Sequence, residues 1–186
     1  MLSALTRRTG KIANCLKTPV RITNPETGAS IETLGIWDTG ATNSVITKSA
    51  AKQLGLIPVQ MTYVRGIGGL TPTRIYNVSI SMNDGAISLN ARVTECEELT
   101  DVDDTGMLIG MNIVNMGDLC ITNFKGNTQL TFRTPSLETV DYVEELKEFD
   151  HIYKVHEAKM RHGDDKCPCG SGKKFKNCHA QSKYNL

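Results

Sequence analysis

Asp38, Thr39 and Gly40 follow the apolar run that ends in Ile36-Trp37, and Val45-Ile46 resumes that run a few residues later. A carboxylate held at the end of a rigid strand can take a proton from water and turn it into a nucleophile. The glycine lets the backbone turn tightly with no Cβ in the way, and the threonine hydroxyl can hold the loop by hydrogen bonding. On its own the tripeptide also describes an ordinary turn between two strands. A second group of reactive side chains crowds the far end of the chain, where Cys167, Cys169 and Cys178 lie close together beside His179. In a reducing compartment such thiols favour a free or metal-bound state over disulfides. Cys15, Cys96 and Cys120 are scattered and read as buried small apolar residues.

The elements that must position Asp38 read as β-structure. Arg21-Ile22-Thr23 and Ser30-Ile31-Glu32 flank the turn-rich Asn24-Pro25-Glu26-Thr27-Gly28, and a strand from Leu34 to Trp37 then delivers the aspartate. Val78, Ile80 and Met82 alternate with polar residues, as do Ile87, Leu89, Ala91 and Val93, on either side of the hairpin signal Asn83-Asp84-Gly85. The core is therefore mostly antiparallel β with period-2 burial. Residues 1–16 show little periodicity and read as a loose arm. After Pro135 the pattern changes. Ser136 can cap a helix with Leu137, Val140, Val143, Leu146, Phe149 and Tyr153 on one side, packed on the β-domain or on its counterpart in a dimer. Acidic residues crowd its first half and Lys154, Lys159 and Arg161 its end, as the helix dipole favours. His151, His156 and His162 read as solvent-facing, and Trp37 as core.

Two further motifs set Asp38 in context. Tyr63-Val64-Arg65-Gly66-Ile67-Gly68-Gly69-Leu70 resembles the glycine-rich flap of a retroviral protease. Met107-Leu108-Ile109-Gly110-Met111-Asn112-Ile113-Val114 resembles the strand that passes behind the catalytic loop of those enzymes, with its following short helix. With Asp38-Thr39-Gly40 they occur in the order and at about the spacing of the retropepsin-like aspartic proteases, across roughly residues 17 to 134. The cellular, DNA-damage-inducible type is the flavour most similar.

That resemblance implies a closed β-barrel with a flap hairpin, and a homodimer, because one chain offers one aspartate where the chemistry needs two. Two facing Asp38 carboxylates would share a single proton. One would accept a proton from the bridging water while the other donates toward the scissile carbonyl, with no covalent adduct and no catalytic metal. Thr39 would lock the two loops, the Gly40 backbone would face substrate, and Gly66, Ile67, Gly68 and Gly69 would close over the peptide. Asp104-Thr105-Gly106 is a competing candidate for a dyad within one chain, but no apolar strand leads into it, and it reads as an acidic turn. Retroviral members carry an arginine and an aspartate that pair near the dimer seam. Here those positions hold Met111 and Thr42, so no buried charge is stranded.

Cys167-Pro168-Cys169, eight further residues and Cys178-His179 resemble the SEC-C motif. The resemblance implies three thiolates and one imidazole around one structural zinc per chain, with no position left for water. A tail this short cannot build a core, so metal binding supplies its folding free energy. The module would dock a protein partner, with Lys173, Lys174 and Lys176 on its basic face.

Length and charge set the remaining bounds. With 21 Lys and Arg against 20 Asp and Glu the net charge is +1, so the chain as a whole has no bulk attraction for nucleic acid or membrane. No apolar run approaches membrane-spanning length and no secretory signal is evident, which points to the cytoplasm. The expected organisation is an N-terminal arm (1–16), a retropepsin-like domain (17–134), a C-terminal α-helix or linker (135–163) and a small zinc knuckle (164–186). The expected function is an endopeptidase acting on peptides or proteins. The alternative is an adaptor that keeps the fold for peptide binding without catalysis.

Overall fold

The computed structural model describes residues 2–66, 69–99, 104–147, 164–167 and 171–178. The chain divides into two compact units, Met1–Glu138 and Thr139–Leu186. Among the described residues no helix is long and apolar enough to cross a membrane.

The first unit is built on a closed barrel. Strands β2 (Lys17–Thr23), β3 (Ser30–Trp37), β4 (Val45–Thr47), β6 (Gly69–Met82), β7 (Ile87–Cys96) and β8 (Thr105–Ile109) hydrogen-bond in the order β2-β3-β8-β4-β7-β6, and β6 returns to β2. β5 (Gln60–Gly66) pairs outside the ring with the first half of β6. Period-2 burial holds along β2, β3 and the second half of β6. Val78, Ile80, Met82, Ile87 and Val93 are buried, and Leu89 and Ala91 pack half-buried against them. The Asn83-Asp84-Gly85 turn has all three residues at positive φ, the geometry that joins two right-twisted strands. Two pairings are parallel, β3 with β8 and β4 with β7. β8 is thereby enclosed on most of its length, with Thr105, Gly106, Met107 and Ile109 all buried.

A second, three-stranded antiparallel sheet runs β1 (Ser3–Arg8), β10 (Gln129–Thr134), β9 (Asp118–Thr122). The expected loose arm is thus a strand over residues 3–8, in register with β10 from Ser3↔Thr134 to Arg8↔Gln129. It carries little hydrophobic signal because only Leu5 is buried, joining Leu130 and Phe132 in the single core. Two short helices complete the unit. α1 (Lys48–Gln53) is capped by Thr47, whose hydroxyl accepts from the Ala50 amide at 3.3 Å; α2 (Met111–Val114) follows Gly110.

The helix expected from Ser136 begins later. Ser136 donates its hydroxyl to Asp118, and the Leu137 amide donates to the same carboxylate at 3.0 Å, so neither is available to a helix. Asp141 caps the helix at 142–147 instead, accepting from the Val143 and Glu144 amides at 2.9 and 3.2 Å. Val140, Val143 and Leu146 are exposed. Phe149, His151, Tyr153, Lys154, His156, Lys159, Arg161 and His162 lie outside the described residues.

Candidate active site

Asp38 sits one residue past the end of β3, and three separate groups of contacts fix it there. Trp37 is buried behind it, with its indole donating to Thr18 Oγ1 at 2.8 Å and its ring 5.1 Å from that of Phe132. The Asp38 amide extends the parallel ladder, donating to the Ile109 carbonyl at 3.0 Å. The carboxylate oxygen Oδ1 accepts from the Gly40 amide at 2.8 Å, which folds the loop back on the acid. Thr39 and Gly40 are exposed and Asp38 is half-buried.

The loop rests on the stretch after β8. Met111 and Asn112 donate their amides to the carbonyls of Ala41 and Thr42 at 2.8 and 3.1 Å. Backbone bonds therefore tie residues 41–42 of the loop to residues 111–112. A Cβ on Gly110 would lie 2.6 Å from the Asn43 carbonyl group, so only glycine lets the two segments approach. Ser44 and Asn112 lock the contact from the side. Asn112 Oδ1 accepts from both the amide and the hydroxyl of Ser44 at 2.8 and 2.7 Å, and Ser44 Oγ accepts from the Gly110 amide at 2.9 Å. The Asn112 side chain also donates to the Arg92 carbonyl at 3.3 Å. Sequence reasoning missed this brace, since two neutral polar residues 68 positions apart carry no local pattern.

Asp104 stands at the opposite end of the same ladder. Leu34 pairs with Thr105 and Trp37 with Ile109 in parallel register, so Asp104 lies level with Thr33, and about five residues, or roughly 17 Å of strand, separate the levels of the two aspartates. Asp104 gives its carbonyl to the Leu34 amide and the Thr33 hydroxyl. Thr105 and Gly106 lie inside β8 rather than in the expected turn, because they continue the buried strand.

The β5–β6 hairpin is the expected flap. Its register closes at Gly66↔Gly69, while Ile67 and Gly68 lie outside the described residues. At its base, Glu95 of β7 accepts from the Tyr76 phenol at 2.5 Å and from Arg74 Nη1 at 3.0 Å. Burial, and then the hydrogen bond and charge of Glu95, push the Tyr76 phenol up to about 12. This cluster was also missed, though a signal exists: Glu95 continues the inward series Ile87, Leu89, Ala91, Val93 as its one charged member.

The cysteines of the first unit differ from expectation. Cys15 is exposed, and Cys96 and Cys120 are half-buried rather than fully enclosed. Burial, and then the charges of Glu98, Glu97 and Glu95, push the Cys96 thiol up to about 11.

In the second unit the loop around Cys167 folds back on itself. The Cys167 amide donates to the Lys173 carbonyl at 2.7 Å, Lys166 bridges Lys174, and the Phe175 amide donates to Asp165 at 2.8 Å. Cys167 and Phe175 are buried, and Cys178 Sγ lies 3.3 Å from the Ser171 hydroxyl. Cys169 and His179 lie outside the described residues. Lys174 and Lys176 both reach Asp164, at 3.0 and 2.6 Å, which neutralises part of the expected basic face.

Comparison with known proteins adds two family matches. A family model described as aspartyl protease matches residues 19–113, just over half of the chain, and the SEC-C motif model matches residues 165–181. No curated protein sequence matches. Among solved structures, the fold is similar to a retropepsin-like aspartic protease from Rickettsia conorii at 14% identity and TM-score 0.45, covering 72% of this chain and 96% of that one. It is similar to EIAV protease complexed with the inhibitor HBY-793 at 21% identity and TM-score 0.42, covering 57% and 90%. It is also similar to the retroviral protease-like domain of Ddi1 from Leishmania major at 17% identity and TM-score 0.38, covering 59% and 82%.

Proposed function

The chain belongs to the aspartyl protease family, and from that premise we propose that it is a homodimeric, retropepsin-like endopeptidase in which two Asp38 carboxylates activate one water. The observation that carries this reading is the position of Asp38. It ends a strand pinned on both sides, with Gly40 turned onto Oδ1 and Thr39 and Gly40 exposed. The chain's other Asp-Thr-Gly starts at the far end of the barrel ladder, so a second carboxylate must come from a second copy. In that dimer the carboxylates share one proton. The ionised one takes a proton from water, and the protonated one donates to the carbonyl oxygen of the scissile bond as the tetrahedral intermediate forms. Thr39 holds the paired loops, Gly40 faces the peptide backbone, and the hairpin bearing Gly66, Ile67, Gly68 and Gly69 covers the cleft and keeps out water.

The tail suits zinc. Cys167 lies in a loop that closes on itself through the Lys173 carbonyl, and a hydroxyl lies beside the Cys178 sulfur. With Cys169 and His179 they supply the donor set of a closed tetrahedral site. Zinc there organises the knuckle and plays no part in hydrolysis. The knuckle docks a protein partner, and its thiol ligands suit the reducing cytoplasm.

Asp38→Asn tests the catalytic reading. The variant should remain folded and dimeric, while peptide-library cleavage between pH 4 and 8 falls by about a hundred- to ten-thousand-fold. Wild-type specific activity should rise with protein concentration until dimers saturate. An Asn variant that cuts like wild type, or a fully active monomer, would sink the shared-water mechanism. A wild type that binds peptides but cuts none across that pH range would favour the adaptor.

A further inference from the structure

β6 has 14 residues and changes partners along its length. From Ile75 to Met82 it pairs with β7, and from Gly69 to Ile75 it pairs with β5. Ile75 is therefore where the hairpin leaves the barrel. The register partner of Ile75 is Thr94, and the next residue of β7 is Glu95.

Three groups from β6 converge on Glu95. Its carbonyl accepts from Thr73 Oγ1 at 2.6 Å. Its carboxylate accepts from Arg74 Nη1 at 3.0 and 3.4 Å and from the Tyr76 phenol at 2.5 Å. Thr73 and Arg74 lie on the projecting side of Ile75, and Tyr76 lies on the barrel side, so one residue grips the strand across its point of departure. The grip is sheltered. Tyr76 is 4% exposed and the Glu95 side chain 14%. Charge-assisted bonds are stronger than neutral ones, and more so away from water.

The register also shows what this grip aims. Met61 faces Arg74, Tyr63 faces Pro72 and Arg65 faces Leu70. Paired residues share a face, and by period 2 this face continues the one carrying Tyr76 into the barrel interior. Met61, Tyr63 and Leu70 are exposed on it. A face of apolar side chains flanked by Arg65 and Arg74 that continues the barrel interior is suited to close over an extended peptide.

We propose that Glu95 is a positioning residue that sets the angle and opening frequency of the β5–β6 hairpin through Arg74 and Tyr76. This rests on the protease reading for its purpose, though not for its geometry. Amide hydrogen exchange on the full chain tests the geometry without substrate. In Glu95→Ala, amides of residues 60–66 and 70–75 should exchange about tenfold faster, with β2 and β3 unchanged. Tyr76→Phe keeps the ring and should give a smaller increase confined to the same residues. Glu95→Gln keeps an acceptor for the phenol and should fall between the two. In cleavage assays the Glu95→Ala variant should raise KM by about tenfold with a much smaller change in kcat. Unchanged hairpin exchange in both Glu95→Ala and Tyr76→Phe, or acceleration spread evenly over the barrel, would overturn the proposal. If the wild type cuts no peptide, the protease reading fails while the exchange pattern still decides the clamp.

Discussion

Asp118 shows how much one side chain can gather at the edge of a sheet. It accepts from the Ser136 hydroxyl, the Leu137 amide and the Arg133 guanidinium, and in that order these hold its carboxyl down to about 2. Arg133 also reaches Glu138 at 3.0 Å. A carboxylate with a depressed folded-state pKa stabilises the fold above its unfolded value of about 3.9, and that contribution is lost as pH falls toward 2. Wild type should therefore lose stability between about pH 4 and pH 2 relative to Asp118→Asn, and the two should differ most near neutrality. Chemical denaturation of both across pH 2 to 7 reads this directly. A constant gap at every pH would remove the carboxylate from the account. Nothing in the local pattern announces this cluster. Asp118, Arg133 and Ser136 meet only because β9 and β10 pair, and Ser136 looked instead like a helix cap, a role its residue type fits equally well.

The parts that hold the Asp38 loop act as one element. Ser44 comes from the loop and Asn112 from α2, and three hydrogen bonds join Ser44, Asn112 and Gly110. Ser44 is fully buried, so removing either partner strands polar groups at a cost of about 1–3 kcal/mol. Ser44→Ala and Asn112→Ala should each lower stability by that amount. The double variant should cost clearly less than the sum, because the second change removes a group already left unpaired. A fully additive cycle, read by denaturant midpoints, would show the two act independently. The apolar runs around this brace were plain in the sequence, since alternation at Val78 to Met82 and the Met107-Leu108-Ile109 run report burial directly. Asp38, Gly40 and Gly110 were legible as well, because a turn and a close approach demand those residue types. The brace, and the Glu95 grip, depend on which strands become neighbours, and pairing is not written in any local window.

At the scale of the whole molecule, the two units have separate cores. The cluster of buried residues that includes Trp37, Ile109 and Phe132 lies wholly within Met1–Glu138, and Cys167 and Phe175 are buried within Thr139–Leu186. Cys169→Ser should therefore abolish stoichiometric zinc while leaving the β-domain folded. Elemental analysis beside circular dichroism checks both halves. Zinc retained at one per chain in the variant would sink the ligand assignment, and a β-signal lost together with the metal would refute the separation.

The place of β1 has a consequence for how the protein is made. Leu5 and Thr131 meet in the second sheet although 126 positions separate them. A chain emerging at about 5–20 residues per second must wait several seconds or more after Leu5 appears before its partner exists. Until then the first strand is an unpaired ribbon with an open edge, available to proteases, chaperones or another nascent chain. Pairs this distant in sequence also form slowly, because a long loop must be closed first. The sheet joined by the first and last strands of the domain is thus completed only near the end of that domain's synthesis.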